Sequence, residues 1–264
     1  MYLTVLKKLI LKIFSFLTLT LLLLIVSCKK EDNEVEPPRD IQEQSTVDDQ
    51  SLEDFLSTHF YNYDDFLNTE YNNELIFDTI SGENISKTPL ISQVKKEIVR
   101  IQTSEDTYVD HNLYYLIANE GKGINPATSD STYLAYEGTL LNGYSFDSSK
   151  SPIWFDLTQV VRGFREGASK FKSGYFTVND DNTVNFFGYG QGALFFPSGL
   201  GYFNQTAGSV PPYSPLIFKI KLYLVNQTDH DDDGILSAEE YDNDGDGSPD
   251  DTDQDGVPDY LDAD

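Results

Sequence analysis

The sequence predicts an antiparallel α+β domain in which one short helix covers one face of a sheet. A small helical segment precedes it and an irregular, loop-built acidic tail follows. Three observations carry this. Between Leu113 and Val225 the chain runs as short alternating or aromatic-rich stretches broken by Gly, Asn and Pro. One window in that region has helical spacing: Val160, Val161, Phe164, Ala168 and Phe171, with Arg165, Glu166 and Lys170 between them. After Thr228 the regime changes. Residues 229–264 hold 16 Asp or Glu and no Lys or Arg, which leaves −10 of the net charge of −26 for the other 228 residues.

Composition excludes several classes. The 264 residues suffice for one or two domains with a sizeable core. So negative a surface repels phosphate backbones, so nucleic acid is excluded as a partner. A single cysteine rules out a disulfide framework and any thiolate cluster. His59, His111 and His230 lack ligand-like spacing, which argues against a histidine-rich zinc site.

The elements follow in order. Residues 1–30 contain no acid, and Lys7, Lys8 and Lys12 precede a charge-free run from Ile13 to Val26. As a helix rising about 1.5 Å per residue, that run falls short of a hydrocarbon core of about 30 Å. A basic stretch, an apolar stretch and a small residue before a break predict a secretory signal over 1–27. Ile25-Val26-Ser27-Cys28 resembles a bacterial lipobox, which implies cleavage before Cys28 and diacylglycerol on its thiol. Each buried lipid methylene contributes about 0.8 kcal/mol, so several acyl chains hold firmly to a membrane. Lys29-Lys30-Glu31-Asp32 resembles the surface-display signal of some Bacteroidetes lipoproteins. Together these imply an exported lipoprotein of the outer membrane, on its periplasmic face or at the cell surface.

Residues 28–50, polar and nearly free of large apolar side chains, read as a flexible tether. Residues 51–105 read as an N-terminal extension. In it Leu52, Phe55, Leu56, His59 and Phe60 have 3–4 spacing, and Ser51 with Asp54 resembles a capping box, which predicts a helix over 51–60. Strands are expected at Leu75–Ile80 and Val94–Ile101. The central domain, 106–226, should carry strands at Leu113–Ala118, Thr132–Leu141, Ile153–Leu157, Tyr175–Val178, Thr183–Phe187, Ala193–Phe196 and Leu216–Val225.

Four blocks of that domain carry a resemblance. Ala135-Tyr136-Glu137-Gly138 is followed by Leu141-Asn142-Gly143 and Phe146-Asp147-Ser148-Ser149. Then come Val160-Val161-Arg162-Gly163-Phe164-Arg165-Glu166-Gly167, Phe196-Pro197-Ser198-Gly199-Leu200-Gly201-Tyr202 and Val210-Pro211-Pro212-Tyr213-Ser214-Pro215-Leu216-Ile217-Phe218. In this order they are similar to the FKBP-type peptidyl-prolyl cis/trans isomerases. The resemblance implies a strongly twisted antiparallel sheet wrapped around the one helix. It also implies a pocket lined by Tyr136, Phe146, Val160, Val161, Tyr202, Val210 and Phe218, with Phe164 as its floor and Asp147 beside Phe146. No cofactor for catalysis is implied; proline-containing polypeptides are the expected partners.

The chemistry suits such residues. Rotation about an X–Pro bond faces a barrier of about 18–20 kcal/mol because amide resonance is lost at the twisted geometry. No nucleophile is needed. A dry aromatic pocket and polar groups aimed at the twisted carbonyl suffice. Tyr202 is expected to hydrogen-bond a substrate carbonyl, with Asp147 orienting the opposite wall through Tyr136. The chain departs from the family at Phe164, where tryptophan is usual, and lacks the family's arginine after Phe-Asp-Ser-Ser; Lys150 is the nearest cation. Phe203 replaces a usual glycine and is expected to reshape the pocket rim. Tyr175–Gly192, with its Asn179-Asp180-Asp181-Asn182 turn, should form an added hairpin. A binding-only module that holds prolyl segments is the alternative these departures raise.

In the tail, 227–264, Asp229, Asp231, Asp233, Gly234 and Glu240 fall at positions 1, 3, 5, 6 and 12 of a twelve-residue loop, with the Ile235 carbonyl at position 7. Asp242, Asp244, Asp246, Gly247, Asp250 and Asp253 repeat the frame, and Asp251, Asp253, Asp255, Gly256, Asp259 and Asp262 repeat it again. Overlapping frames resemble thrombospondin type 3 repeats more than paired EF-hands. So many carboxylates repel one another and cannot build an apolar core alone, whereas a hard cation taking six to eight oxygens would cancel the repulsion. Calcium binding is the expected role, and a surface protein stiffened by calcium is the further alternative.

Overall fold

The computed structural model describes residues 37–67, 73–104 and 107–263, so the secretory signal, Cys28 and the tetrapeptide after it lie outside the described residues. Among the described residues no helix is long and apolar enough to cross a membrane. Arg39–Asp264 form one compact unit. Its centre is a six-stranded antiparallel sheet in the order β3-β4-β9-β10-β5-β6. These strands are β3 (Lys95–Ser104), β4 (Thr107–Asn119), β5 (Ser131–Leu140), β6 (Ser145–Asp156), β9 (Gly190–Phe196) and β10 (Leu216–Asn226). Outside it lie a small pair, β1 (His59–Tyr61) with β2 (Phe77–Thr79), and the hairpin β7 (Tyr175–Val178) with β8 (Val184–Phe187).

Period-two alternation sorts side chains onto two faces. Leu216, Phe218, Ile220 and Leu222 of β10 join Leu194 and Phe196 of β9 and Leu134 of β5 on one face. Ile217, Ala193 and Phe195 point to the other. β9 is buried along its whole length because both faces are covered, and from Ala193 to Phe196 it reads as a short apolar run.

The first face is covered by α2 (Arg162–Ala168), which lays Phe164 and Ala168 on the core. Seven residues are far too few for a stable isolated helix, so packing on the sheet holds it in place. The second face is covered by α1 (Ile41–Thr58), whose Leu52 and Leu56 are fully buried beside Leu90, Tyr114, Leu116 and Phe195.

The architecture matches the expected α+β class, but two expected boundaries move. The tether expected over 28–50 runs into helix: α1 starts at Ile41, with the Asp40 carboxylate accepting from Glu43 N at 2.9 Å as its cap. Its first half buries Gln44, Ser45 and Asp48 through hydrogen bonds rather than apolar area, a burial that composition conceals. The expected boundary at 105/106 falls between two paired strands, since β3 and β4 match from Lys95↔Tyr115 to Ser104↔Thr107. Residues 95–104 are therefore an edge of the central sheet. Missed altogether was the first half of β6, Ser145–Pro152, whose serines and proline suit an edge strand.

Candidate active site

The α2 face does not close completely. Phe164, Val210 and Phe218 are buried there, while Tyr136, Phe146, Val160, Val161 and Tyr202 pack against them half-buried. Phe218 of β10 is the hub: its ring centroid lies 5.1 Å from Phe164 and 5.5 Å from Phe146, both edge-to-face. Tyr136 of β5 stands 6.4 Å from Phe164 and 6.3 Å from Phe218. Aromatic pairs at such spacing stabilise one another and form a continuous apolar wall. The approach of Phe146 to Phe218 depends on Gly138, where a Cβ would come within 2.6 Å of one ring and 2.9 Å of the other.

The structure thus packs all eight expected apolar and tyrosyl side chains into one cluster, with Asp147 at its exposed edge. Asp147 is exposed, and its Oδ2 accepts from the Tyr136 hydroxyl at 2.8 Å. Burial, and then that bond, push the Tyr136 hydroxyl up to about 12. Burial first, and the Asp147 charge second, also raise Tyr202. Both phenols are therefore proton donors at neutral pH. The Tyr202 hydroxyl makes no hydrogen bond among the described residues, so its donor is available to a ligand.

Three of the departures have a place in the structure, though the added hairpin ends at Phe187, since Gly190 already begins β9 of the central sheet. With the arginine absent, Tyr136 is the partner of Asp147. Phe203 turns its ring edge-to-face onto Tyr213, at 5.4 Å, with a left-handed φ of 46°. The added hairpin sets Phe186 against Tyr133 and Tyr223, at the end of the sheet and on the face opposite Phe218. Sequence reasoning missed Phe155 of β6, which packs 5.3 Å from Tyr136 and 5.8 Å from Phe164. The signal was the alternation that sets Phe155 on the face opposite Trp154.

The tail repeats one backbone three times. Asp229, Asp231 and Asp233 each offer an oxygen to one group within 4.8 Å, as do Asp242, Asp244 and Asp246, and Asp251, Asp253 and Asp255. Position 4 is left-handed in each loop (Asp232, Gly245, Gln254), and so is position 6 (Gly234, Gly247, Gly256). Loop amides close onto the carboxylates, Gly234 N to Asp229 at 3.0 Å and Gly256 N to Asp251 at 3.1 Å. Asp229 Oδ1, Asp231 Oδ2, Glu240 Oε2 and Asp242 Oδ1 are shielded from solvent without a hydrogen-bond partner. Burial and the neighbouring Asp231, Asp233 and Asp229 raise the Glu240 carboxyl. Oxygens left in that state fit a cation.

Other expected ligands stand apart. Asp250 and Asp259 each close their own loop from position 9 to position 2, accepting from Asn243 N at 2.6 Å and Thr252 N at 2.7 Å. Asp253 groups with the third loop, not the second, and Asp262 joins none of these carboxylate groups. The tail also has a small apolar centre that its acid count hides: Tyr241 and Tyr260 are buried with ring centroids 5.0 Å apart. Arg165 of α2 hydrogen-bonds the Tyr241 hydroxyl and donates to Gly247 O at 3.1 Å, which docks the tail on the helix that carries Phe164.

The half-exposed aromatic cluster thus carries two phenols at its edge, Tyr136 bonded to Asp147 and Tyr202 without a hydrogen bond among the described residues. No protein-family profile matches the chain. It is 34% identical over 117 residues, 43% of its length, to the probable FKBP-type peptidyl-prolyl cis-trans isomerase FkpA of Neisseria meningitidis, of which this covers 38%. It is 36% identical over 118 residues to a probable FKBP-type isomerase of Haemophilus influenzae, covering 43% of each chain. It is 29% identical over 167 residues to the peptidyl-prolyl cis-trans isomerase Mip of Chlamydia trachomatis, covering 60% of each. The chain thus spans well under two thirds of the lengths of these relatives. Among solved structures, FkpA of Escherichia coli aligns over 55% of each chain at 29% identity with a TM-score of 0.38.

Proposed function

We propose that this protein is a peptidyl-prolyl cis/trans isomerase acting on proline-containing polypeptides at the cell envelope. The observation that carries the reading is the convergence of Tyr136, Phe146, Phe164, Tyr202 and Phe218 on one hollow, with Asp147 bonded to Tyr136. The prolyl ring enters over Phe164 and Phe218, and Phe146, Phe155, Val160 and Val161 exclude water from its sides. Leaving water costs the twisted amide less than the planar one because its charge separation is smaller, so the apolar wall favours the half-rotated form. The Tyr202 hydroxyl donates to a carbonyl of the bound segment. Asp147, held by Tyr136, places negative charge beside the reacting carbonyl carbon. No covalent step occurs, and none is needed.

The tail is read as a calcium module. Asp229, Asp231, Asp233 and Glu240 would hold one ion, and the triads of the other two loops would hold further ions. The supporting observation is the set of shielded, unpartnered oxygens in the first and second loops. A bound cation supplies positive charge that cancels carboxylate repulsion. Diacylglycerol at Cys28 would tether the protein to the outer membrane.

A protease-coupled assay on X–Pro peptides tests the enzyme reading. The expected result is acceleration that falls at least about tenfold in Phe146→Ala and Asp147→Ala and less in Tyr202→Phe. A folded protein that binds prolyl peptides but leaves the rate at its uncatalysed value would make this a binding module instead.

A further inference from the structure

The turn that delivers Tyr202 is not held by the sheet alone. It begins at Ser198, whose backbone N and Oγ donate to one oxygen of Asp48, at 2.8 and 2.5 Å. Asp48 belongs to α1, is 2% exposed and lies 150 positions earlier in the chain. Its other oxygen accepts from Gln44 Nε2 at 2.7 Å, and Gln44 Oε1 accepts from Arg39 Nη1 at 2.8 Å. Arg39 reaches the far end of the same loop: its backbone N donates to the Tyr213 hydroxyl at 3.1 Å, and its guanidinium lies 4.3 Å over that ring. Inside the loop, Tyr213 N donates to Phe203 O at 2.6 Å and Phe203 N donates to Ser198 O at 2.8 Å. The bonds close a circuit, Asp48–Ser198–Phe203–Tyr213–Arg39–Gln44–Asp48.

Two features show that the circuit bears strain. Phe203 and Tyr213 sit at φ of 46° and 60°, left-handed values that side chains adopt only where surroundings over-determine them. Beneath the turn, His111 of β4 is fully buried with both ring nitrogens unpartnered. A Cβ on Gly199 would meet its Cε1 at 2.3 Å, so the turn is seated directly on that ring. The turn is thus fixed from below by packing and from the side by α1. Tyr202 and Val210, both in the pocket wall, lie within the loop so clamped.

The geometry points to α1 as a clamp that sets the position of the Tyr202 wall, with Asp48 as its positioning residue. Asp48 touches no substrate; it acts through Ser198. This rests on the isomerase reading for its kinetic consequence but not for its structural one. Replacing Asp48 by Ala strands the Ser198 donors and frees the loop. Misplacing a wall by a fraction of an ångström costs rate more than fold.

The test measures wild type first, then Asp48→Ala, Asp48→Asn, Arg39→Ala and Tyr213→Phe, each by X–Pro isomerisation kinetics and by amide hydrogen exchange. For Asp48→Ala we expect kcat/KM lower by about ten- to a hundredfold. Exchange at Phe203, Gln205 and Tyr213 should be faster, with protection kept in β5 and β10. Asp48→Asn, whose amide oxygen still accepts from Ser198, restores most of the loss. Arg39→Ala and Tyr213→Phe open the circuit at its outer end, so they speed loop exchange and lower kcat/KM by about two- to fourfold. Unchanged exchange and kinetics in Asp48→Ala would overturn the clamp. If that variant does not fold, unchanged exchange in both Arg39→Ala and Tyr213→Phe overturns it. An inert wild type would sink the isomerase reading alone, and loop exchange would still decide the clamp.

Discussion

The two faces of the central sheet are built from the same strands yet serve different ends. Under α1, Leu52, Leu56, Leu116 and Phe195 are buried outright, and the half-buried rings of Phe55 and Phe77 stand at the margin of this more fully sealed face. Under α2, a helix of seven residues spans too little of the sheet, and Tyr136, Phe146, Phe155 and Tyr202 remain half-buried around Phe218. The long helix buries Leu52 and Leu56 outright; the short one leaves large rings half-exposed at its edge. The sealed face is also not inert, because it reaches across through Asp48 to fix one wall of the open one.

Four experiments break or sharpen this contrast. The largest effect should come from the sealed face. Phe195→Ala removes a fully buried ring and should cost about 3–5 kcal/mol in urea unfolding; a loss below about 1 kcal/mol would mean that this face is not the main core.

Next is His111, which burial lowers from its ordinary 6.5 to about 4. The unfolded chain takes up a proton that the folded chain refuses, so this residue adds no pH dependence above 6.5. Stability falls as pH drops from 6.5 to about 4, by up to about 3 kcal/mol. Burial raises Asp48 and Asp130, which act in the opposite sense, so the comparison is with His111→Leu. Wild type should lose more stability than the variant between pH 7 and pH 4.5. Equal losses would show that the ring is not buried neutral.

Third, calcium at about 10 mM should stabilise the protein by about 1–3 kcal/mol if affinity lies near 10⁻⁴–10⁻³ M, as in extracellular modules. Chelator should reverse this, and Asp231→Asn with Asp233→Asn should remove part of it. A calorimetric titration without heat and a melting temperature deaf to chelator would strike out the metal reading. Last, Phe146→Ala on the open face should change stability by under about 1.5 kcal/mol while abolishing most activity. A loss comparable to Phe195→Ala would mean that Phe146 is core and not pocket wall.

Much of the open face was legible because its residues cluster in four short blocks with distinctive order, and Tyr136, Phe146, Phe164, Tyr202 and Phe218 do meet. The sealed face was legible only in the second half of α1, where Leu52, Phe55 and Leu56 show helical spacing. The first half of α1 buries Gln44, Ser45 and Asp48 against partners up to 150 residues away, and polar burial of that kind looks like a tether in composition. The β3–β4 hairpin was split because its edge strand, rich in Lys, Glu and Thr, carries little apolar alternation. In the tail the 1-3-5 triads followed from spacing. Asp250 and Asp259 instead accept from the backbone at position 2 of their own loops, a role that ligand spacing does not encode.

The most direct test is exchange spectroscopy on an X–Pro peptide, following cis and trans resonances as the folded protein is added. The account predicts that interconversion, which otherwise takes tens to hundreds of seconds, quickens in proportion to protein concentration. A peptide whose resonances shift on binding while its interconversion stays at the uncatalysed rate would contradict it.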